Sequence, residues 1–243
     1  MNAINFGSGW WPTIRKRPGL SGYATMATGL SERFEAAGPW SPGQLVALDV
    51  ADLAEVLGQD PDHPLMGQFV AALRDLGEHL LEEHSGRYLG VVELADSIPA
   101  LAETFACWSS FADASNYKGR TIPFFKRAQI AAADLYRAGV AELPGVEDLT
   151  AFADNLVPHV LRVDGMLQLD PALTAVIEAE QLLEHGSPKE VELRACAVHA
   201  IELLSDATGR LLSPAEIDSA LWNRGRERHY KALPRPRSRN TAY

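Results

Sequence analysis

The sequence predicts an all-α fold, a single multi-helix domain over residues 1–243. Three observations carry that reading. Helix-start signals recur: Ser41-Pro42, Asp170-Pro171, Ser187-Pro188 and Ser213-Pro214 each set a capping side chain before a proline suited to the first helical position. Apolar residues then follow at helical spacing. No stretch alternates strongly enough to demand a long strand.

In chain order, residues 1–40 read as an irregular entry segment, because Gly7, Gly9, Gly19 and Gly22 are interspersed with prolines. Helices are expected near 42–47 and 51–57, then over 64–84, where Leu65, Phe69, Leu73, Leu76 and Leu80 share a face. Helices near 89–95 and 99–107 follow, although Arg87 to Val92 also fits a short strand. The next helix, 122–138, opens on Phe124-Phe125-Lys126-Arg127, with two cations in a first turn where the helix dipole disfavours them unless an anion compensates. A helix at 147–156 should stop or kink just after Asp154, because Pro158 cannot donate to the Asp154 carbonyl and disfavours helical geometry at Val157. Helices at 171–178, 188–204 and 214–226 complete the set. The last two start with capping boxes, Ser187 with Glu190 and Ser213 with Glu216. Connections are short, and neither a flexible linker nor an internal repeat divides the chain.

Composition excludes several classes. Apolar residues make up 47% of the chain, as in ordinary globular proteins. No apolar run reaches membrane-helix length, and Met1 to Trp11 lacks a secretory pattern. Cys107 and Cys196 stand far apart beside apolar residues and read as buried thiols of a reducing, cytoplasmic compartment. The formal charge is −10, which argues against tracking a nucleic-acid backbone. That charge is uneven. From Arg224 onward seven cations face one anion, giving +6, so the preceding body carries −16. Such a segment can be a solvated basic tail (224–243) or can fold back to hold an anion.

Familiar chemistry is largely missing. There is no P-loop, no paired-histidine or Glu-x-x-His metal motif and no nucleophile elbow, so neither a metal nor a cofactor is expected. Catalytic groups would then be carboxylates, lysines or histidines. Asp154 lies in an apolar stretch at the expected helix break, where a carboxylate can face a cavity or can cap the next helix. Lys126 and Arg127 are either functional or a surface cation pair. Asp218 and Trp222 lie four apart, on one helix face, where they could read a planar heterocycle; such a Trp can equally belong to the core.

Collinear motifs over about 220 residues resemble a known family, the queuosine salvage proteins, which are queuosine 5′-phosphate N-glycosylase/hydrolases. They are Tyr117-Lys118-Gly119-Arg120, Phe125 to Ile130 with Asp134-Leu135, Leu149 to Asp154 with Val157-Pro158 and Leu161-Arg162, Glu190 to Ala195, Ile217-Asp218 with Leu221-Trp222, and the terminal Arg237-Ser238-Arg239 to Tyr243. The resemblance implies an all-α fold related to helix-hairpin-helix DNA glycosylases, with Leu143 to Val146 as the hairpin turn between two helices. It implies hydrolysis of the N-glycosidic bond of queuosine 5′-monophosphate to queuine and ribose 5-phosphate. By the same resemblance Asp154 is the catalytic carboxylate, Phe152 lines the base site and Asp218 accepts hydrogen bonds from the base. Lys126 is a motif position expected to orient Asp154 or bind phosphate, and from the charge split Arg237, Arg239 and Tyr243 of the folded-back tail are expected to hold the 5′-phosphate.

The chain departs from the family pattern twice. Asn223 replaces an acidic residue after the Leu-Trp pair, which changes the contact offered to queuine's cationic amine. The match also begins at Asn5-Phe6, which implies a more open pocket or a start upstream of Met1. The expected partner is a small nucleotide, with no polymeric nucleic acid and no membrane; oligomeric state is not fixed by sequence. Two other readings remain at this point: a helix-hairpin-helix nucleic-acid glycosylase, and a non-catalytic binder of a modified nucleoside.

Overall fold

A computed structural model describes residues 1–243. The helices are α1 (Gly22–Ala37), α2 (Pro42–Val46), α3 (Val50–Leu57), α4 (Pro64–Glu83), α5 (Tyr88–Glu93) and α6 (Ile98–Ala106). A small hairpin of β1 (Ala114–Tyr117) and β2 (Arg120–Pro123) precedes α7 (Lys126–Arg137). Then come α8 (Leu156–Val163), α9 (Pro171–Glu178), α10 (Pro188–Ala207), α11 (Pro214–Arg224) and α12 (Arg228–Lys231). The architecture is all-α apart from that hairpin. No helix is long and apolar enough to cross a membrane.

Capping explains most of the helix starts. Ser41 and Ser213 form the reciprocal boxes with Gln44 and Glu216. Asp170 caps α9 through the N–H groups of Ala172 and Leu173. The box expected at Ser187 does not form, and that serine makes no side-chain cap. Glu190 is instead 1% exposed and is drawn to the Gly186 N–H and the Tyr243 hydroxyl.

Several local expectations are corrected. The supposedly irregular entry segment contains α1, capped by Ser21, whose side chain accepts from the Ala24 N–H. Its glycines hid the helix, and they are there for packing. A Cβ on Gly29 would lie 2.6 Å from the Val56 carbonyl oxygen, and one on Gly22 would lie 2.7 Å from the Trp11 ring. The helix expected near 89–95 forms over 88–93, and the strand alternative for Arg87 to Val92 does not. The front of the expected 122–138 helix is strand β2, paired with β1 through a two-residue turn at Lys118 (φ 49°) and Gly119 (φ 78°). Cys107 and Cys196 are both exposed. The Leu143 to Val146 turn leads into one 3-10 turn, Val146–Asp148, and not into a second α-helix.

The largest correction concerns residues 147–156, which are not a helix. Residues 149–154 form neither helix nor strand and are buried, apart from Thr150, whose backbone N–H and hydroxyl both donate to Gln129 Oε1. Leu149 and Phe152 enter the main core built by the N-terminal half, from the entry segment to α7. Ala151 enters a second core formed with α8, α10, α11 and Tyr230, and Ala153 packs with Phe124 and Val191. A helix presents one face to one core, whereas this segment feeds the two main cores and the small cluster of Phe124 and Val191. A chain without regular helix can thread between them in this way. Pro158 accordingly sits in the first turn of α8, where a missing N–H costs nothing, and it does not end an earlier helix.

The basic tail folds back onto the body, although Arg224, Arg226, Arg228, Lys231 and Arg239 remain exposed. Tyr230, Ser238, Asn240, Ala242 and Tyr243 are buried. The tail docks through Asn155 Nδ2 to the Pro236 carbonyl (2.8 Å), Arg162 to the Pro234 carbonyl (2.8 Å) and the Gly7 N–H to the Tyr243 carbonyl (3.0 Å). Gly9 lets the entry segment touch it, since a Cβ there would stand 2.3 Å from the Ser238 carbonyl oxygen. Gly9→Ala is therefore expected to cost about 1–3 kcal/mol through overpacking. At roughly 2–4 °C per kcal/mol for a chain of this size, differential scanning fluorimetry should resolve the fall in Tm.

Candidate active site

A cavity of about 600 Å³ opens where the two cores meet. Its walls come from the entry segment and the start of α1, from Lys126 at the head of α7, from Asp154 and the first turn of α8, and from the tail. That volume suits a mononucleotide-sized ligand.

Asp154 is 7% exposed and lines this cavity. Its Oδ1 accepts the N–H groups of Leu156 (2.8 Å) and Val157 (2.9 Å), the first free donors of α8. The two readings left open by the sequence therefore coincide: Asp154 caps the next helix and faces a cavity. Both hydrogen bonds fall on Oδ1, which leaves Oδ2 for a ligand. Burial pushes the carboxyl above the ordinary carboxylate range, opposed by Lys126, by the two backbone N–H groups and by Arg235.

Lys126 and Arg127 are not a surface pair, being 6% and 1% exposed. Arg127 is structural: its guanidinium donates to the carbonyls of Ala3 (2.6 Å) and Ser110 and lies over the Phe6 ring. Lys126 lines the cavity, and its Nζ donates to the Asn5 carbonyl (3.1 Å). Burial lowers its ammonium to about 8, against the pull of Asp154. The anion that the sequence required near this helix start is Asp113, whose Oδ2 accepts the Lys126 N–H (3.1 Å).

Of the residues expected at the site, Asp154, Lys126, Arg237 and Tyr243 line the cavity, while Phe152, Asp218, Asn223 and Arg239 do not. Phe152 belongs to the main core. Asp218 is 3% exposed, and its Oδ1 accepts the Phe152 N–H (3.1 Å). Burial, and then the nearby Asp154 charge, push Asp218 well above the carboxylate range. Two buried carboxyls of this kind titrate as a pair, the charge on either one favouring the proton on the other. Asn223 is on the outer face of α11 and donates to the Ser219 carbonyl. Arg239 is exposed, over the Trp10 ring. Trp222 lines the cavity without Asp218, in edge contact with Tyr23 at 5.7 Å.

Sequence reasoning missed Arg235, Asp113 and the roles of Glu190 and Arg194. Arg235 lines the cavity with no hydrogen bond to the protein, and burial lowers its pKa against the pull of Asp154. Arg194 makes a bidentate pair with Asp113 (3.0 and 2.6 Å), and its Nε donates to the Ala153 carbonyl (2.9 Å). Its guanidinium also lies over the rings of Phe124 and Tyr243, at 3.9 and 4.4 Å. The Tyr243 hydroxyl donates to Glu190 (2.7 Å). The i, i+4 spacing of Glu190 and Arg194 was a legible hint of shared work. Nothing local pointed to Asp113.

The chain is 31% identical over its whole length to a protein of Sphaerobacter thermophilus named queuosine 5′-phosphate N-glycosylase/hydrolase, covering 79% of that relative. Proteins of the same name from Dictyostelium discoideum and Mus musculus are 30% and 32% identical over 82% and 74% of this chain. The chain spans 64% and 59% of those two relatives. The family model described as "Queuosine salvage protein" matches residues 1–243, and the chain belongs to that family.

Proposed function

We propose that this protein hydrolyses the N-glycosidic bond of queuosine 5′-phosphate, releasing queuine and ribose 5-phosphate. The observation that carries the proposal is the buried Asp154 carboxylate, one oxygen of which has no protein partner, lining a cavity that Lys126, Arg235 and Arg237 also line. In this reading the C1′–N bond breaks, with its electron pair going to the base. Positive charge builds at C1′ and is stabilised by Asp154. A water oxygen bonds to C1′, Asp154 accepts its proton, and that proton passes to the departing base nitrogen. Asp218 acts on Asp154 rather than on the base, since it is buried off the cavity wall and couples electrostatically to Asp154. The base would pack against Trp222 and Tyr23, which give an aromatic wall.

Arg235 and Arg237, on the cavity wall, would receive the 5′-phosphate. The contrast with the acidic body supports a single small anion over a polymer. The cavity takes walls from both ends of the chain, which supports residues 1–243 acting as one unit.

The test is incubation of purified protein with queuosine 5′-phosphate, following queuine and ribose 5-phosphate by chromatography. Release from the monophosphate is expected; no release from this or any related nucleotide would sink the proposal. Arg235→Ala with Arg237→Ala should raise KM for the monophosphate by about tenfold or more for each charge-assisted hydrogen bond removed. Arg239→Ala should leave KM unchanged, because that side chain is stacked outside the cavity.

A further inference from the structure

Asp113 is 2% exposed and does not line the cavity, yet it holds both sides of the proposed reaction centre. On one side its backbone carbonyl accepts the N–H groups of Phe124 (2.9 Å) and Phe125 (3.0 Å), and its Oδ2 accepts that of Lys126. These bonds clamp a strained turn, since Phe125 has φ 48°, a left-handed conformation that a bulky residue adopts only when its surroundings impose it. On the other side Asp113 holds both terminal nitrogens of Arg194, whose Nε grips the carbonyl of Ala153, the residue before Asp154.

We infer that Asp113 is a positioning residue: through its clamp on Phe124 to Lys126 and its pair with Arg194, it fixes Lys126 relative to Asp154. The inference rests on the function proposed above. The buried ion pair is a costly device where stability alone is at stake, because desolvating two charges offsets most of their attraction. A bidentate guanidinium instead gives direction, and here it fixes the backbone on both sides of the cavity. Tyr243 and Glu190 complete the clasp, the tyrosine ring against Arg194 and its hydroxyl on Glu190. Closure of the tail is thereby tied to the same guanidinium.

The test uses Asp113→Asn and Arg194→Lys in the full chain, assayed below the melting transition of each variant. Both should lower kcat by about ten- to a hundredfold, the scale on which small misplacements act, with KM nearly unchanged. The two should then part in their pH behaviour. Lys126 faces the carboxyls of Asp154, Asp113 and Asp218 and the guanidinium of Arg127. Asp113→Asn removes one of those negative charges, so the Lys126 ammonium should titrate at lower pH. Arg194→Lys keeps the Asp113 charge and should leave that titration nearly in place. The Lys126 Nζ signal, followed by NMR in the protein without substrate, reads this independently of turnover. Folded variants with wild-type kcat and wild-type Lys126 titration would overturn the inference, as would lowered Tm with kcat intact. Absence of base release by the wild type would overturn the proposed function instead, while the NMR titration would still decide the place of Asp113.

Discussion

Asp154→Asn is expected to slow base release by about two to three decades while leaving the fold intact. The Asn side-chain oxygen can still accept the Leu156 and Val157 N–H groups, so the start of α8 keeps its cap. What disappears is the negative charge at the cavity. If that charge supplies about 3–4 kcal/mol of differential stabilisation to the developing cation at C1′, kcat falls by about two to three decades. The stability effect runs the other way. Burial raises the Asp154 carboxyl, so its contribution to stability is fully present below the ordinary carboxylate pKa and is lost as pH rises through the raised folded value. Above that raised value the wild type bears the cost of an ionised buried group, which the neutral Asn does not. Asp154→Asn should match or exceed the wild-type Tm near pH 7. A loss of that size with circular dichroism and Tm preserved supports the catalytic assignment; full activity of the variant would remove it.

Lys126→Met should produce the second large loss, with a distinctive pH signature. The lysine is the largest attraction that offsets the burial of Asp154. Without it, Asp154 and Asp218 face each other with less compensation, and the Asp154 carboxyl holds its proton to higher pH. The wild type should show an acid limb above the ordinary carboxylate range and an alkaline limb near 8, where Lys126 loses its charge. In Lys126→Met the acid limb should move upward and the alkaline limb should vanish. Activity at pH 7 falls steeply and partly recovers at higher pH. A kcat/KM profile across the neutral range and well to either side of it, for both proteins, checks this. An unshifted acid limb in the variant would show that Lys126 does not act on Asp154.

The helical character of the chain was legible because its signals are local. Capping side chains before proline and apolar residues on one face mark α2, α4, α9 and α11 without reference to the rest of the molecule. The family motifs brought Asp154, Lys126, Arg237 and Tyr243 to attention, and these four share one cavity. The helix α1 was obscured because Gly22 and Gly29 weaken a local propensity in order to admit Trp11 and the Val56 backbone. Residues 149–154 misled for the opposite reason: a continuous apolar run looks alike whether it enters a helix or threads between two cores. Asp218 and Phe152 carried the right motif, but burial turned them away from the cavity, where one bonds the other.

The sequence by itself determined the all-α class, the positions of most helices and the uneven charge of an acidic body with a basic end. These follow from interactions a few residues long and from composition. Only the tertiary structure decided that the basic tail is a docked wall and that Arg235 replaces Arg239 at the cavity. It alone paired Asp113 with Arg194, 81 positions apart, to hold Lys126 and Asp154. Such pairings are set by burial. Removing charges from water leaves them few admissible partners, and which partners lie within reach is a property of the folded chain.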